Sequence, residues 1–357
     1  MRQCGHPPWS RALVRATRAL VLSLLPCAAA GSCEGTCCEW AGEHDEVSML
    51  QVSSPRAVNP GAGRVPSAGE LSLATVASAV GHPLTPPGAG SDLDLAMLLA
   101  DHSGDCKTVL LTNVFTTRED PQAKRHGMPT FEYFERYYRS ILSLPSGRAS
   151  AVIFYDDLPE DLVRNYTSGD GAVSFTKVDI SGLDPIMGLN DLRYQVFEEH
   201  IKKHPEWETI FMTDINDVTV IHNPCAFVDR TPDKLFVGSQ TEPLKPREFI
   251  HHKFEQAGGK YLKWYEAQPD FSLPLLNAGI IGGKRSVVLR ALRKVNEMLE
   301  DPELPGRKMD VGVRINMEAV NYVFYTAFGR ESLVTGVPLH SKFYYFQNRT
   351  DVYFWHK

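Results

Sequence analysis

The chain has 357 residues, of which 43% are hydrophobic, 22% are charged and 10% are aromatic. This composition is typical of a globular protein, and the length allows one large α/β domain with additional targeting or linker segments. The formal net charge of −6 argues against a general nucleic-acid-binding protein, because such proteins carry an excess of basic residues. A nucleoside diphosphate still fits, since a metal ion and a few local donors suffice to bind it.

Residues 1–31 have the pattern of a secretory signal. Four arginines precede the apolar run Ala19–Ala30, and small residues at its end offer a cleavage site. Because the run is shorter than the roughly 20 residues that span a bilayer as a helix, we favour a signal peptide over a short membrane anchor. An organellar transit peptide is a further alternative, because no acidic residue precedes Glu34. Any membrane tether is expected only in this segment.

Glycosylation triplets at Asn165 and Asn348 also favour the secretory pathway, which means the ER or Golgi lumen or secretion. Residues 32–104 predict a flexible stalk, because they are rich in Pro, Gly and Ala and contain few large apolar residues. The cluster Cys33, Cys37 and Cys38 is expected to form disulfides rather than a zinc site, since no second pair of closely spaced cysteines follows. The pairing of the cysteines stays open.

Residues 105–357 predict one α/β domain. Apolar, β-branched runs alternate with amphipathic helical stretches, which Thr130, Asn190 and Ser286 are expected to cap. This alternation predicts a mostly parallel sheet flanked by helices, with ligands bound beyond the carboxyl ends of the strands. The predicted strands are Thr108–Thr112, Ala151–Tyr155, Val173–Val178, Thr209–Thr213, Leu235–Ser239 and Ala278–Gly282.

An acidic turn follows the apolar run at 209–213. Asp214, Asn216 and Asp217 come directly after it, at the edge where a ligand is expected. Two carboxylates there suit Mg²⁺ or Mn²⁺, which stabilises the negative charge that builds up when a nucleoside diphosphate departs. We therefore predict Asp214 and Asp217 as metal ligands and Asn216 as a donor-binding residue. The alternative is an acidic turn with no ligand, because Asp and Asn are common turn residues.

The acidic turn resembles the aspartate-any-aspartate signature of nucleotide-sugar glycosyltransferases with the GT-A fold. Three further features agree in chain order: Asn113 and Arg118 after the first strand, Arg193 on a helix, and the Asn277-Ala278-Gly279 strand. The resemblance implies that Asn113 and Arg118 bind the nucleotide, that Arg193 binds the donor phosphates, and that Asn277 and Gly279 lie beside the donor sugar, with Asn277 in the catalytic machinery.

The run from Asn316 to Asn321 resembles the Asp-Gln-(Asp/Glu)-Ala-Leu-Asn run of the glycogenin-like subgroup, although Asn316 and Met317 depart from it. The resemblance implies that Glu318 is a catalytic or acceptor-orienting carboxylate. Many GT-A enzymes take a third metal ligand from a late histidine, for which His340 is the candidate. Two further donor-binding residues are predicted, namely Lys342 for a diphosphate oxygen and Asp157 for the nucleobase or ribose.

Together these features predict a Mn²⁺- or Mg²⁺-dependent glycosyltransferase that uses a nucleotide-sugar donor. The acceptor is expected to be a hydroxyl group on a glycan or glycoprotein. One alternative is a non-catalytic carbohydrate- or nucleotide-binding protein with the same fold, because the acidic spacing is relaxed to Asp-x-x-Asp. A second alternative is a sugar nucleotidyltransferase, which the lack of a Gly-rich basic loop after Thr112 disfavours. The sugar, the nucleobase and the specific acceptor stay open.

Overall fold

The computed structural model describes residues 106–118, 130–309, 313–341 and 349–356. The predicted signal and stalk, residues 1–104, therefore lie outside the described residues. Two residues with a predicted role in the domain, Lys342 and the glycosylation candidate Asn348, also lie outside the described residues.

The described part of the chain is an α/β fold built on a seven-stranded sheet, with a second sheet of two strands. The strands are β1 (Thr108–Val114), β2 (Ala149–Tyr155), β3 (Val173–Lys177), β4 (Thr209–Thr213), β5 (Val218–Val220), β6 (Leu235–Pro243), β7 (Pro274–Lys284), β8 (Leu333–Val334) and β9 (Phe354–His356). The helices are α1 (Phe131–Leu142), α2 (Glu160–Tyr166), α3 (Leu189–Lys203), α4 (Cys225–Arg230), α5 (Glu248–Ala257), α6 (Gly259–Glu266), α7 (Arg285–Leu299), α8 (Pro305–Met309) and α9 (Asn316–Val323).

The seven strands lie in the order β3-β2-β1-β4-β7-β6-β8. Every neighbouring pair is parallel except the two pairs that involve β7, which runs antiparallel to both β4 and β6. The predicted mostly parallel sheet with flanking helices is therefore confirmed. Because β4 and β6 both oppose β7, their carboxyl ends meet at the same edge of the sheet.

Hydrophobic cores cover both faces of the sheet. Along β4 the side chains alternate, so that Ile210 and Met212 pack with α3 and α7 on one face, and Phe211 packs with α1 on the other. All five residues of β4 are buried. This double coverage explains why the strand is apolar at consecutive positions and why its first half-exposed side chain is the acid that follows it.

The close contact of β4 with β7 depends on a glycine. Gly282 pairs with Phe211, and a Cβ atom on Gly282 would lie 2.1 Å from the Phe211 ring. The ring thus occupies the space that a side chain would need. Gly282 therefore serves the packing of the sheet.

β7 leaves its register with β6 next to the acidic turn. Val237 pairs with Ile281, whereas the next residue, Gly238, pairs with Asn277. The three β7 residues between these partners, 278–280, form a bulge that faces β4. The Asp214 N–H donates to the Gly279 carbonyl at 3.0 Å, so the bulge holds the start of the acidic turn.

The two-stranded sheet pairs β5 with β9 in antiparallel register, with Val218 opposite His356. It brings the end of the described chain back to the strand that follows the acidic turn. A disulfide joins Cys106, just before β1, to Cys225 in α4. None of the helices in the described ranges combines the length and apolarity that a membrane span requires.

Candidate functional site

Asp214 stands at the carboxyl end of β4 and is paired with an arginine from α3. The side chain of Asp214 is 30% exposed, whereas that of Arg193 is 7% exposed. The Arg193 guanidinium donates to Asp214 Oδ1 and, at 3.1 Å, to the carbonyl of Ala278 in the bulge. Burial lowers the pKa of Arg193, but the attraction of Asp214 outweighs this and raises the pKa above its ordinary value. The structure brings Arg193 and Asp214 together, and their predicted roles toward a donor phosphate and a metal stay predictions.

His356 lies across Gly279 from the other oxygen of this carboxylate. A Cβ atom on Gly279 would lie 2.6 Å from His356 Nε2 and 2.8 Å from Asp214 Oδ2. Both atoms therefore pack closely against Gly279 and occupy the place that a side chain would need. They lie at the carboxyl edge of the sheet, where α/β proteins bind ligands.

The imidazole of His356 is fully buried. Burial and the neighbouring His340 lower the pKa of His356 to about 3, against the opposing attraction of Asp214. The ring is consequently neutral at physiological pH. A neutral imidazole is the form that ligates a metal ion.

The pair of Asp214 Oδ2 and His356 Nε2 fits a divalent cation that accepts both oxygen and nitrogen ligands. Carboxylates suit Mg²⁺ and Mn²⁺, whereas imidazole favours transition metals. Mn²⁺ satisfies both preferences better than Mg²⁺ does. An ion held by this pair would lie next to Gly279.

The predicted metal triad of Asp214, Asp217 and His340 is not assembled. In the part of the chain that the structure describes, the ligand atoms of these three residues do not all lie within 4.8 Å of one another. Asp217 is half-buried at the end of the turn, and Asn216, the predicted donor-binding residue, is exposed at its tip. The one acid–cysteine group at that spacing among the described residues contains Asp229 and the disulfide. Its sulfurs are bonded to each other, so they are not thiolate ligands.

His340 is committed to the protein's own backbone. Its Nε2 accepts the Ser239 N–H at 2.9 Å, and its Nδ1 is hydrogen-bonded to the Ser341 carbonyl. The Nε2 lone pair that a metal would need accepts this hydrogen bond here, and the role of His340 as a ligand stays a prediction. The two late histidines differ in that only His356 reaches the acidic turn through strand pairing with β5.

The end of β2 holds a buried carboxylate of another kind. Asp156 accepts hydrogen bonds from the backbone N–H groups of Thr116, Thr117 and Asp157 at 2.7–2.9 Å, and from both threonine hydroxyls. Burial raises the pKa of Asp156, but these five donors together lower it below the ordinary value. The carboxylate thus fixes the segment after β1. Asp157 is exposed beside it, in a position that leaves its predicted contact with a nucleobase or ribose open.

Arg118 performs a structural task at the same edge. Its guanidinium donates to the carbonyls of Ile180, Leu183 and Asp184 at 2.8–3.0 Å. These bonds fasten the segment after β1 to the loop before α3. The predicted contact of Arg118 with the nucleotide stays a prediction. Asn113 is half-buried near the end of β1, and its predicted role stays a prediction.

Two buried acids lie at the first turns of α3 and α9, close enough for the charge of Glu318 to raise the pKa of Asp191. Asp191 is 2% exposed and Glu318 is 1% exposed. Within the described residues, Asp191 Oδ1 and Glu318 Oε1 have no hydrogen-bond partner. The two turns are joined by Asn316, whose Nδ2 donates to the Asn190 carbonyl at 2.9 Å and to the Tyr194 hydroxyl at 3.0 Å.

This burial changes the acidity of both groups. Desolvation raises the pKa of Glu318 to about 7. Desolvation, followed by repulsion from Glu318, raises the pKa of Asp191 well above its ordinary value, although Arg193 opposes the change. At neutral pH Glu318 can therefore hold or release a proton. Groups with such pKa values are common at catalytic sites.

Two asparagines hold α9 and the bulge of β7 in place. Asn321 accepts the Leu276 N–H at 2.9 Å and returns a bond to the Leu276 carbonyl at 3.0 Å. Asn277 Oδ1 accepts the Gly279 N–H at 2.7 Å. Asn277 and Gly279 thus shape the bulge from within. Their predicted contact with a donor sugar stays a prediction.

The sequence predictions missed two residues of this site, His356 and Asp191. His356 had a signal, because it is a polar residue at the end of the aromatic run Tyr353-Phe354-Trp355. Asp191 had none beyond its place next to Arg193, since a first-turn acid on a helix is ordinary.

No family model matches the chain, and no curated protein matches it. The activity of the site therefore has to be inferred from its geometry and chemistry.

Proposed function

We propose that residues 105–357 form a metal-dependent glycosyltransferase domain with a GT-A-like fold. It would transfer a sugar from a nucleotide diphosphate sugar to a hydroxyl group of a glycan or glycoprotein. The observation that carries this proposal is the approach of Asp214 Oδ2 and His356 Nε2 across Gly279, at the carboxyl edge of the sheet. A carboxylate and a neutral imidazole at this edge suit a cation that binds a diphosphate.

In this proposal Asp214 and His356 would hold Mn²⁺, and the ion would supply positive charge for the departing nucleoside diphosphate. Arg193 orients Asp214 through its ion pair and adds a second positive charge close to the metal ligands. Gly279 has no side chain and so allows both ligands to lie close to it. Asp217 is the further acid of the turn that a bound ion can recruit.

Glu318 and Asp191 supply the acid chemistry of the proposed site. Their Oε1 and Oδ1 atoms are buried and accept no hydrogen bond from any described residue. Hydroxyl groups of a sugar are such donors. With a pKa of about 7, Glu318 can accept a proton from a hydroxyl group at neutral pH and release it again.

Two features support a place in the secretory pathway. The Cys106–Cys225 disulfide is of the kind that forms in oxidising compartments. Asn165 and Thr167, which form the described glycosylation triplet with Tyr166, are both exposed at the end of α2. We propose the ER or Golgi lumen, or secretion.

The proposal is tested by thermal denaturation of the full chain with a panel of nucleotide sugars, each with and without Mn²⁺. A ligand that binds only the folded state raises the midpoint of unfolding, so the true donor should do so only with Mn²⁺. Asp214→Asn should abolish the shift, whereas Asp233→Asn, at an exposed acid, should keep it. If no nucleotide sugar gives a Mn²⁺-dependent shift, the proposal fails.

A non-catalytic binding protein with the same fold is the second candidate. It is favoured by the engagement of Asp214 Oδ1 with Arg193, which leaves this acid one oxygen for a metal. The two candidates differ in turnover. Release of a nucleoside diphosphate from the stabilising donor indicates a transferase, and binding without release indicates the second candidate.

A further inference from the structure

Cys106 and Cys225 lie at the edge of the sheet opposite to the proposed site. Cys106 comes just before β1, and the sulfur of Cys225 is 3.5 Å from the hydroxyl of Thr209, the first residue of β4. Asp214, by contrast, follows the carboxyl end of β4. The Cα atoms of the two cysteines are 5.9 Å apart, although 119 residues separate them in the chain. This pair is therefore a feature separate from the proposed transferase site.

The fold holds the two cysteines together even without their covalent bond. Asn223 Nδ2 donates to the Cys106 carbonyl at 3.3 Å, and Asn223 Oδ1 accepts the Cys225 N–H at 3.1 Å. The same amide group is anchored to the sheet, because it accepts the Thr108 hydroxyl at 2.6 Å and donates to the Arg148 carbonyl at 3.0 Å. Since none of these bonds involves a sulfur atom, the reduced chain keeps two thiols next to each other.

A carboxylate completes a cluster of three potential metal ligands at this place. The ligand atoms of Cys106, Cys225 and Asp229 all lie within 4.8 Å of one another. Asp229 Oδ2 is 3.2 Å from Cys106 Sγ, near the roughly 3.5 Å expected between a sulfur and an oxygen atom that bind one tetrahedral zinc ion. Cys225 is buried and Asp229 is exposed, so an ion can reach the cluster from the side of the carboxylate.

The charges and the ligand types of the cluster select the ion. Two thiolates and one carboxylate carry three negative charges, and Lys284 Nζ, 2.5 Å from Asp229 Oδ1, supplies one positive charge. A divalent cation makes the whole group neutral, which lowers the cost of its partial burial. Thiolates are soft ligands that favour Zn²⁺ over Mg²⁺ or Mn²⁺. The Thr209 hydroxyl lies where it can donate to the Cys225 thiolate and so orient this ligand.

We propose that Cys106, Cys225 and Asp229 bind Zn²⁺ in the reduced chain, and that formation of the disulfide releases the ion. Two protons leave the thiols as the ion binds, because thiolates are the ligands. A donor disulfide then accepts the electron pair of the two thiolates. Its own S–S bond breaks into two thiolates, the Cys106–Cys225 bond forms, and the zinc ion departs as Zn²⁺. Before the covalent bond exists, the ion thus joins the start of β1 to α4.

Zinc titration of the full chain tests the proposal. The chain reduced with a phosphine should bind one Zn²⁺ per molecule more than the reduced Cys225→Ser variant, and the oxidised wild type should lack this ion. Zinc held elsewhere, at Asp214 or at other cysteines, is common to both reduced chains and cancels in the difference. With Co²⁺ in place of Zn²⁺, the difference between the two chains should include a sulfur-to-cobalt charge-transfer band.

Asp229→Asn tests the third ligand without removing a cysteine. Its side chain is 45% exposed, so we expect the variant to fold and to bind Zn²⁺ about tenfold or more weakly in competition with a chelator. Asp233→Asn is the matched control, because this acid lies four residues along and is 77% exposed, and it should leave the affinity unchanged.

A second measurement follows the exchange of metal for disulfide. Oxidised glutathione added to the zinc-loaded chain should release one Zn²⁺ for each Cys106–Cys225 bond formed, as measured with a colorimetric zinc indicator and by peptide mass spectrometry. The proposal is overturned by equal zinc stoichiometry in reduced wild type and Cys225→Ser, by wild-type affinity in Asp229→Asn, or by disulfide formation without zinc release. No nucleotide sugar takes part in these measurements, so their outcome is independent of the test of the proposed function.

Discussion

Two regions at the same edge of the sheet bury carboxylates to a similar degree but differ in how many hydrogen bonds the protein donates to them. Asp156, at the end of β2, accepts five hydrogen bonds from the protein. Asp191 and Glu318, at the first turns of α3 and α9, each keep one buried oxygen without a partner in the described structure. The comparison shows that burial alone does not mark a reactive acid. The Asp156 carboxylate is satisfied by the fold and maintains architecture, whereas the unsatisfied oxygens of Asp191 and Glu318 call for a partner that the fold does not supply.

The largest expected effect comes from Arg193→Met, because Arg193 pairs with Asp214 and also offsets the charge of Asp191. Removing one partner of a largely buried ion pair leaves the other charge uncompensated, which costs about 3 kcal/mol or more. Urea denaturation at pH 7 measures the loss. Arg139→Met, which removes an exposed pair with Glu135, is the control and should cost about 0.5 kcal/mol or less. A loss of similar size in both variants would show that Arg193 is not part of the acid site.

Asp156→Asn should destabilise the protein by about 2–3 kcal/mol at pH 7, because hydrogen bonds to a charged acceptor are lost and an amide group now faces donors. The pKa of Asp156 is lowered in the folded state, so its contribution is present above the unfolded pKa and disappears as the pH falls through the folded pKa. The variant should therefore lose less stability on acidification than the wild type does. Urea titrations between pH 7 and pH 3 measure both effects. If the variant lost as much unfolding free energy on acidification as the wild type, Asp156 would not be the group responsible.

Glu318→Gln should have the opposite sign and stabilise the protein by up to about 3 kcal/mol at pH 8. The folded pKa of Glu318 is about 7, above its ordinary value, so the wild type loses stability as the pH rises from about 4.5 to 7. Below pH 4.5 the acid is neutral in both states and the variant should gain little. Unfolding midpoints at pH 4 and pH 8 test this pattern, and an equal change at both pH values would contradict it.

The smallest effect is expected for Glu199→Gln, on the solvent-exposed face of α3, the helix that also carries Asp191. Glu199 pairs with Lys203 one turn along, and both side chains are more than half exposed. Such pairs contribute about 0.3–0.5 kcal/mol, and salt screens them. Urea denaturation in low and high salt should show that the difference in unfolding free energy between variant and wild type vanishes in high salt. A larger effect that salt does not reduce would contradict the distinction between the exposed Glu199 and the buried Asp191 of α3.

Much of the fold was predictable because local patterns carry it. The run at 209–213 was predicted with its observed bounds, since a strand covered on both faces is apolar throughout. The helix after Thr130 was also predicted, as its inward positions Phe134 and Ile141 recur at helical spacing. By contrast, Asn190 and Ser286 lie inside their helices, whose N-caps are Gly188 and Lys284. Tertiary contacts decide these starts, as the bond from the Gly188 N–H to the Val313 carbonyl shows.

The site was predictable only where one stretch of chain contains it. Asp214 follows directly from the end of a buried strand. The choice between His340 and His356, by contrast, depends on the pairing of β5 with β9, two strands that lie far apart in the chain. β5 and β9 have three residues each, too few for a periodic signal. The antiparallel direction of β7 has the same origin, because strand pairing is decided by the whole sheet.

The disulfide between Cys106 and Cys225 has a mechanical consequence. Cys106 lies two residues before β1, which is hydrogen-bonded on both sides by β2 and β4. Tension on the preceding chain reaches a covalent link to α4 before it reaches the hydrogen bonds of this inner strand. A load applied from upstream is thus diverted past β1 and spares its hydrogen bonds to β2 and β4.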